Sequence, residues 1–181
     1  MERKNILWIG FAAAMLIAVA AHVALAGEMP APAGKIDAKA AFEELKGLAG
    51  SWQGKAGEEG MPATVTYKVI SNGNVVMETL MPGTDHEMIT MYHMAGNDLV
   101  ATHYCSAGNQ PHLKLDLGKS TATQLVFAFD GGTNLDPAKD GHIHEAQINL
   151  GEGKLDSLWS FYAGGQKARS MDFHLTRAAA K

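Results

Sequence analysis

Residues 86–112 read HEMITMYHMAGNDLVATHYCSAGNQPH. Side chains alternate in character on both sides of Ala95-Gly96-Asn97-Asp98. A Gly-Asn centre suits a two-residue turn of the primed type, where positive φ is cheap, so the stretch predicts a β-hairpin. With that turn, Met94 faces Leu99, Tyr92 faces Ala101, Thr90 faces His103 and Met88 faces Cys105. Successive side chains point to opposite faces of a strand. One face then carries Met88, Thr90, Tyr92, Leu99, Ala101, His103 and Cys105; the other carries Ile89, Met91, His93, Val100, Thr102 and Tyr104. Neither face is plainly polar, so the hairpin should be covered on both sides or line a cavity. It also gathers unusual side chains: four of the 8 histidines, the single cysteine and three of the 10 methionines.

The same alternation continues outward from the hairpin. Strands are predicted over 52–56, 63–70, 74–80, 86–94, 99–105, 112–117, 124–130, 142–150, 155–162 and 168–176. Turn-forming residues separate them, among them Asn72-Gly73-Asn74, Pro82-Gly83, Gly131-Gly132 and Gly164-Gly165. About ten short strands at even spacing predict an antiparallel meander. Closing such a sheet removes its unpaired edges, so the expected fold is an all-β, up-and-down antiparallel β-barrel. One short N-terminal helix precedes it. Asp37 caps this helix, Phe42, Leu45 and Leu48 share one side, and Gly50 lies beyond its end. Alternation assigns inward places to Val65, Tyr67 and Val69, to Leu125, Phe127 and Phe129, to Leu155, Ser157, Trp159 and Phe161, and to Met171, Phe173 and Leu175.

Residues 1–26 read as a signal peptide: Arg3-Lys4, an apolar run from Ile6 to Ala21, and an Ala24-Leu25-Ala26 cleavage site. No cysteine follows the run, so a lipoprotein anchor is not expected. Residues 27–36 are a Pro/Gly/Ala-rich flexible linker, and 37–181 a single barrel domain. This organisation predicts a periplasmic or secreted protein with no stable membrane insertion after cleavage. With 15 basic and 19 acidic residues, net charge −4, the chain is mildly acidic, which argues against a nucleic-acid partner. One cysteine cannot form an internal disulfide, and Cys105 reads first as a buried thiol.

Gly141-His142-Ile143-His144 is the sharpest chemical signal. His142 and His144 are two apart on a strand and should share a face with Ala146, Ile148 and Leu150, that is, the inside. Two imidazoles on an apolar face are costly unless each finds a partner. They could instead hold a divalent metal from one side, with a third ligand from a neighbouring strand. His103 and Cys105 repeat the i, i+2 spacing and would suit a soft or borderline metal. That spacing is too wide for a nucleophile–base pair. Methionines 77, 81, 88, 91 and 94 read either as soft copper ligands or as adaptable apolar filling. Asn109-Gln110-Pro111 and Thr133-Asn134-Leu135-Asp136-Pro137 are loops with amides and acids at one barrel mouth. Neither a phosphate loop nor a G-x-S-x-G elbow is present, which favours binding over catalysis.

The stretch Leu48-Ala49-Gly50-Ser51-Trp52-Gln53-Gly54 resembles the G-x-W start of the calycin barrels, the lipocalins and fatty-acid-binding proteins. The longer run from Gly50 to Pro62 is similar to the opening of nitrobindin, a ten-stranded haem-binding barrel. The first resemblance implies Trp52 packed beneath a basic residue of the last strand, here Arg177. The second implies haem held by a late-strand histidine, for which His174 is nearest in position. Thr102-His103-Tyr104-Cys105 with Gly108-Asn109-Gln110-Pro111 resembles exported bacterial proteins carrying the same T-H-Y-C…G-N-Q-P pattern, a resemblance that covers most of the chain after residue 26 and points to no particular activity.

The expected function is to hold a small hydrophobic or amphipathic molecule, haem among the candidates, inside an exported barrel. Tyr92, His103, Cys105, His142, His144 and Trp159 would line or cap the interior, and Met88, Phe127 and Phe129 would cover the ligand's apolar part. One alternative is a metal site on His103, His142 and His144 with Cys105 nearby, serving storage or activating water. Another is a filled barrel acting through its surface. A ligand barrel needs an internal cavity, a metal site needs the histidines to converge, and a filled barrel needs neither.

Overall fold

The computed structural model describes residues 34–179. The signal peptide read over 1–26, and the linker as far as residue 33, lie outside the described residues. Gly34–Ile36, the end of the linker stretch, is docked: Lys35 bridges Thr121 and Ile36 is buried.

A helix α1 (Ala38–Gly47) leads into ten strands: β1 (Gly50–Ala56), β2 (Met61–Ile70), β3 (Val75–Leu80), β4 (Met88–Ala95), β5 (Asp98–Tyr104), β6 (Gln110–Leu115), β7 (Gln124–Thr133), β8 (His142–Gly151), β9 (Lys154–Ala163) and β10 (Gln166–Arg177). Each strand pairs antiparallel with its sequence neighbours, and β1 pairs with β10 to close the barrel. The chain therefore forms a closed, up-and-down barrel without sheet edges.

The hairpin of β4 and β5 has the register that alternation predicts. Met94 pairs with Leu99, Tyr92 with Ala101 and Thr90 with His103, across a turn in which Gly96 has φ 64°. Thr90, Tyr92, Leu99, Ala101 and His103 are buried in the interior. The opposite face is not covered: its residues are half-buried, and Tyr104 is 49% exposed.

Helix α1 begins where the Asp37 carboxylate accepts a hydrogen bond from the Ala40 N–H at 2.8 Å. Its apolar stripe, Ala38, Ala41, Phe42 and Leu45, packs against β2, β4 and β5. The segment after α1 is tied down by Trp52, whose Nε1 donates to the Leu48 carbonyl at 2.8 Å. The Arg177 guanidinium lies 4.4 Å from the Trp52 ring centre and donates to the carbonyls of Ala49 at 2.8 Å and Gly47 at 2.9 Å. The last strand thus secures the helix that precedes the first. Arg177→Ala removes a cation–π contact and both charge-assisted bonds, and should lower stability by about 2 kcal/mol. The urea midpoint measures this, and a shift within error would show the contact to be idle.

Candidate functional site

Halfway along the barrel a carboxylate is buried. On β3, Val76, Glu78 and Leu80 point inward and none is more than 1% exposed. Glu78 receives hydrogen bonds from Tyr67 of β2 at 2.5 Å and Tyr92 of β4 at 2.7 Å. Burial raises its carboxyl above the usual carboxylate range, and hydrogen bonds from Tyr67, Tyr92 and Thr90 oppose that rise. Burial and the neighbouring charge of Glu78 push both phenols well above 10.

The chain of polar groups continues toward the end opposite α1. Thr90 sits across from Glu78, and its Oγ1 is 2.9 Å from Nδ1 of His103. His103 is fully buried, and burial lowers its imidazole to about 4, so it is neutral at neutral pH. Its ring lies 5.1 Å from that of Trp159, which is also buried. Nε2 of His103 and Nε1 of Trp159 have no hydrogen-bond partner among the described residues.

Beyond these two rings opens a cavity of about 470 Å³. Its wall is apolar: Met61, Leu80, Met88, Ile143, Phe161, Met171 and Phe173. His86, Cys105, Ser106 and Arg169 supply polar atoms, and the Arg169 guanidinium lies 4.6 Å from the Phe161 ring centre. Met61 and Met171 remain 46% and 39% exposed, so the barrel mouth has an apolar rim.

Of the residues expected to form the site, Met88, His103, Cys105 and Trp159 line this cavity together. Tyr92 lies deeper, bonded to Glu78, and Phe127 packs beside it with ring centres 5.3 Å apart. Neither borders the cavity. Cys105 is a half-buried free thiol whose Sγ accepts a long hydrogen bond from the Ala107 N–H at 3.5 Å.

The inward placing of His142 and His144 is corrected by the register. Ile143 pairs with Phe161, but Glu145 pairs with Ser160 and Ala146 with Trp159, so β8 carries a bulge at His144. The extra residue reverses the alternation, and Ile143 takes the inward place on the cavity wall. His142 is buried elsewhere. Its Nδ1 donates to the Asp140 carbonyl at 2.9 Å, which leaves Nε2 to accept from Nδ1 of His144 at 3.1 Å. His144 is stacked between Phe129 and Tyr162, with ring centres 4.8 and 4.0 Å away. Phe129 is therefore committed to the histidines and does not border the cavity. Burial, then the nearby His142, lowers the imidazole of His144.

These placements separate the residues of the expected metal set. Among the described residues, no three His, Cys, Asp or Glu side chains gather where they could hold an ion. His174, the late-strand histidine implied as a haem ligand, does not fit that role either. It is exposed on the outer face, with Nδ1 bonded to Asp156 at 2.8 Å and Nε2 to Asp172 at 3.1 Å.

The amide loops tie the mouth together. Asn109 Nδ2 donates to the Gly141 carbonyl at 2.8 Å, and Asn134 Nδ2 donates to Gln110 Oε1 at 2.9 Å. Sequence reasoning passed over Glu78, although its signal was present: in Val76-x-Glu78-x-Leu80 a carboxylate shares the parity of two core residues. Arg169 was hidden by the register shift between Lys167 and Arg169, which interrupts the alternation at the start of β10.

Compared with protein-family models and with curated proteins, the chain matches none.

Proposed function

We propose that this protein is an exported, calycin-like barrel that binds a small hydrophobic or amphipathic molecule in the cavity at its mouth. One observation carries the reading: an apolar cavity of about 470 Å³ inside the barrel, whose lining includes the buried rings of His103 and Trp159. Empty apolar space forfeits packing, so a cavity of this kind suits a site for a guest. Volume and lining fall in the range of small-molecule sites, with mostly apolar walls and few polar groups. The packing of Arg177 on Trp52 supports the calycin likeness.

Native mass spectrometry of residues 27–181, isolated from the host's periplasm, tests the reading. A small organic mass that leaves on denaturation is expected. Ile143→Trp, which fills the cavity from its wall, should abolish that mass while the barrel stays folded by circular dichroism. A bare polypeptide mass, with no binding of an added anilinonaphthalene sulfonate dye, would overturn it.

A further inference from the structure

Arg169, Met171 and Phe173 of β10 line the cavity, opposite Phe161, Trp159 and Ser157 of β9. Phe173 is buried, Met171 is 39% exposed and Arg169 is exposed, so the row climbs from the interior to the mouth. The register shift between Lys167 and Arg169 lies just beyond it. Arg169 thus takes the last inward place of the strand, with its guanidinium 4.6 Å from the Phe161 ring centre. That contact holds the charged head at the rim while the stem covers apolar wall.

A guanidinium brings a fork of N–H donors and a permanent positive charge. Among the described residues Arg169 makes no ion pair. Acids close to it in sequence or at the same end of the barrel are engaged elsewhere: Asp172 with His174, and Glu87 with the Gly83 N–H. No aspartate or glutamate lines the cavity, and Arg169 is its one lysine or arginine. An unpaired cation at the rim of an apolar space favours a head group of opposite charge. Its planar fork matches a carboxylate through parallel hydrogen bonds. The wall is less exacting, because Met61, Met88 and Met171 are unbranched and adapt to what they cover.

Building on the ligand-binding reading above, we propose that the cavity takes an amphiphile with a single carboxylate, seated head outward. The carboxylate pairs with Arg169 at the mouth, and the tail lies inward against Met88, Phe161 and Phe173. From Arg169 to Phe173 the strand advances about 13 Å, which suits a tail of medium length. The head is selected by charge and the tail by little more than size.

Isothermal titration of residues 27–181 with decanoate, 1-decanol and decyltrimethylammonium tests the assignment, since the probes share a tail and differ in charge. Decanoate should bind about tenfold more tightly than decanol, and the ammonium more weakly than either. Arg169→Gln should reduce the gap between acid and alcohol to about twofold or less, and Arg169→Lys should keep part of it. Reading the gap cancels any effect of the lost Phe161 contact on the tail. The wild-type comparison needs no variant and stands even if a substitution disturbs folding. Equal affinity for acid and alcohol would overturn the carboxylate assignment while leaving the ligand-binding reading intact. A preference for the acid that survives Arg169→Gln would overturn the part given to Arg169, and tightest binding of the ammonium would overturn the sign of the head. Failure of every probe to bind would count against the ligand-binding reading and this inference together.

Discussion

Gly54→Ala is expected to cost about 4 kcal/mol, a large part of the stability of an ordinary domain. Gly54 pairs with Leu175 of β10 on one side and Ala63 of β2 on the other, so it lies in the seam that closes the barrel. A Cβ there would land on the carbonyl oxygen of His174, a backbone atom that cannot rotate aside. Relief requires β1 and β10 to move apart along the seam. That movement removes ladder hydrogen bonds and exposes strand edges that closure had hidden. Gly47 supplies the control: a Cβ there meets nothing within 4 Å and its φ is ordinary, so Gly47→Ala should be neutral or stabilising by up to about 1 kcal/mol. Urea denaturation of both variants measures the difference. A Gly54→Ala protein as stable as its parent would mean that the two strands do not approach so closely.

The barrel was legible because strand periodicity is a local property. Ten runs of alternating residues, separated by glycine-rich turns, leave little choice of topology, and β4–β5 formed in the predicted register to the residue. What failed was parity across an interruption. His142 and His144 were assigned inward by counting back from Ala146, and one bulged residue reversed the count. Nothing local announces that bulge. It depends on how β8 must bend to pair with β9, with Gly141 so close to the Phe161 ring that a Cβ there would collide. Glu78 failed differently. Its parity was readable, but its partners Tyr67 and Tyr92 lie 11 and 14 residues away on separate strands. The register shows how they meet: Tyr67 lies directly opposite Glu78 in β2–β3, and Tyr92 reaches the same carboxylate from β4. The cavity belongs to the same class of property, since the space left between Met88, Trp159 and Phe173 is set by the barrel's girth.

The acid sensitivity of the protein should depend on His103. In the unfolded chain an imidazole takes up its proton near 6.5; in the folded chain burial delays this to about 4. Between those values the unfolded state binds a proton that the native state refuses, so acidification favours unfolding. The stability is fully present above pH 6.5 and is lost progressively as the pH falls toward 4. Each pH unit across the window is worth about 1.4 kcal/mol, and the whole window about 3 kcal/mol. Glu78 acts in the opposite sense. Burial raises its carboxyl in the folded state, so its contribution is present in acid and is lost as the pH rises through that raised value. The two trends overlap in the wild-type profile, and a difference measurement separates them. His103→Leu removes one titration and keeps Glu78 and His144. The stability of wild type relative to the variant should therefore fall by about 3 kcal/mol from pH 7 to pH 4. A gap that stays constant with pH would mean that His103 is not held neutral in the interior.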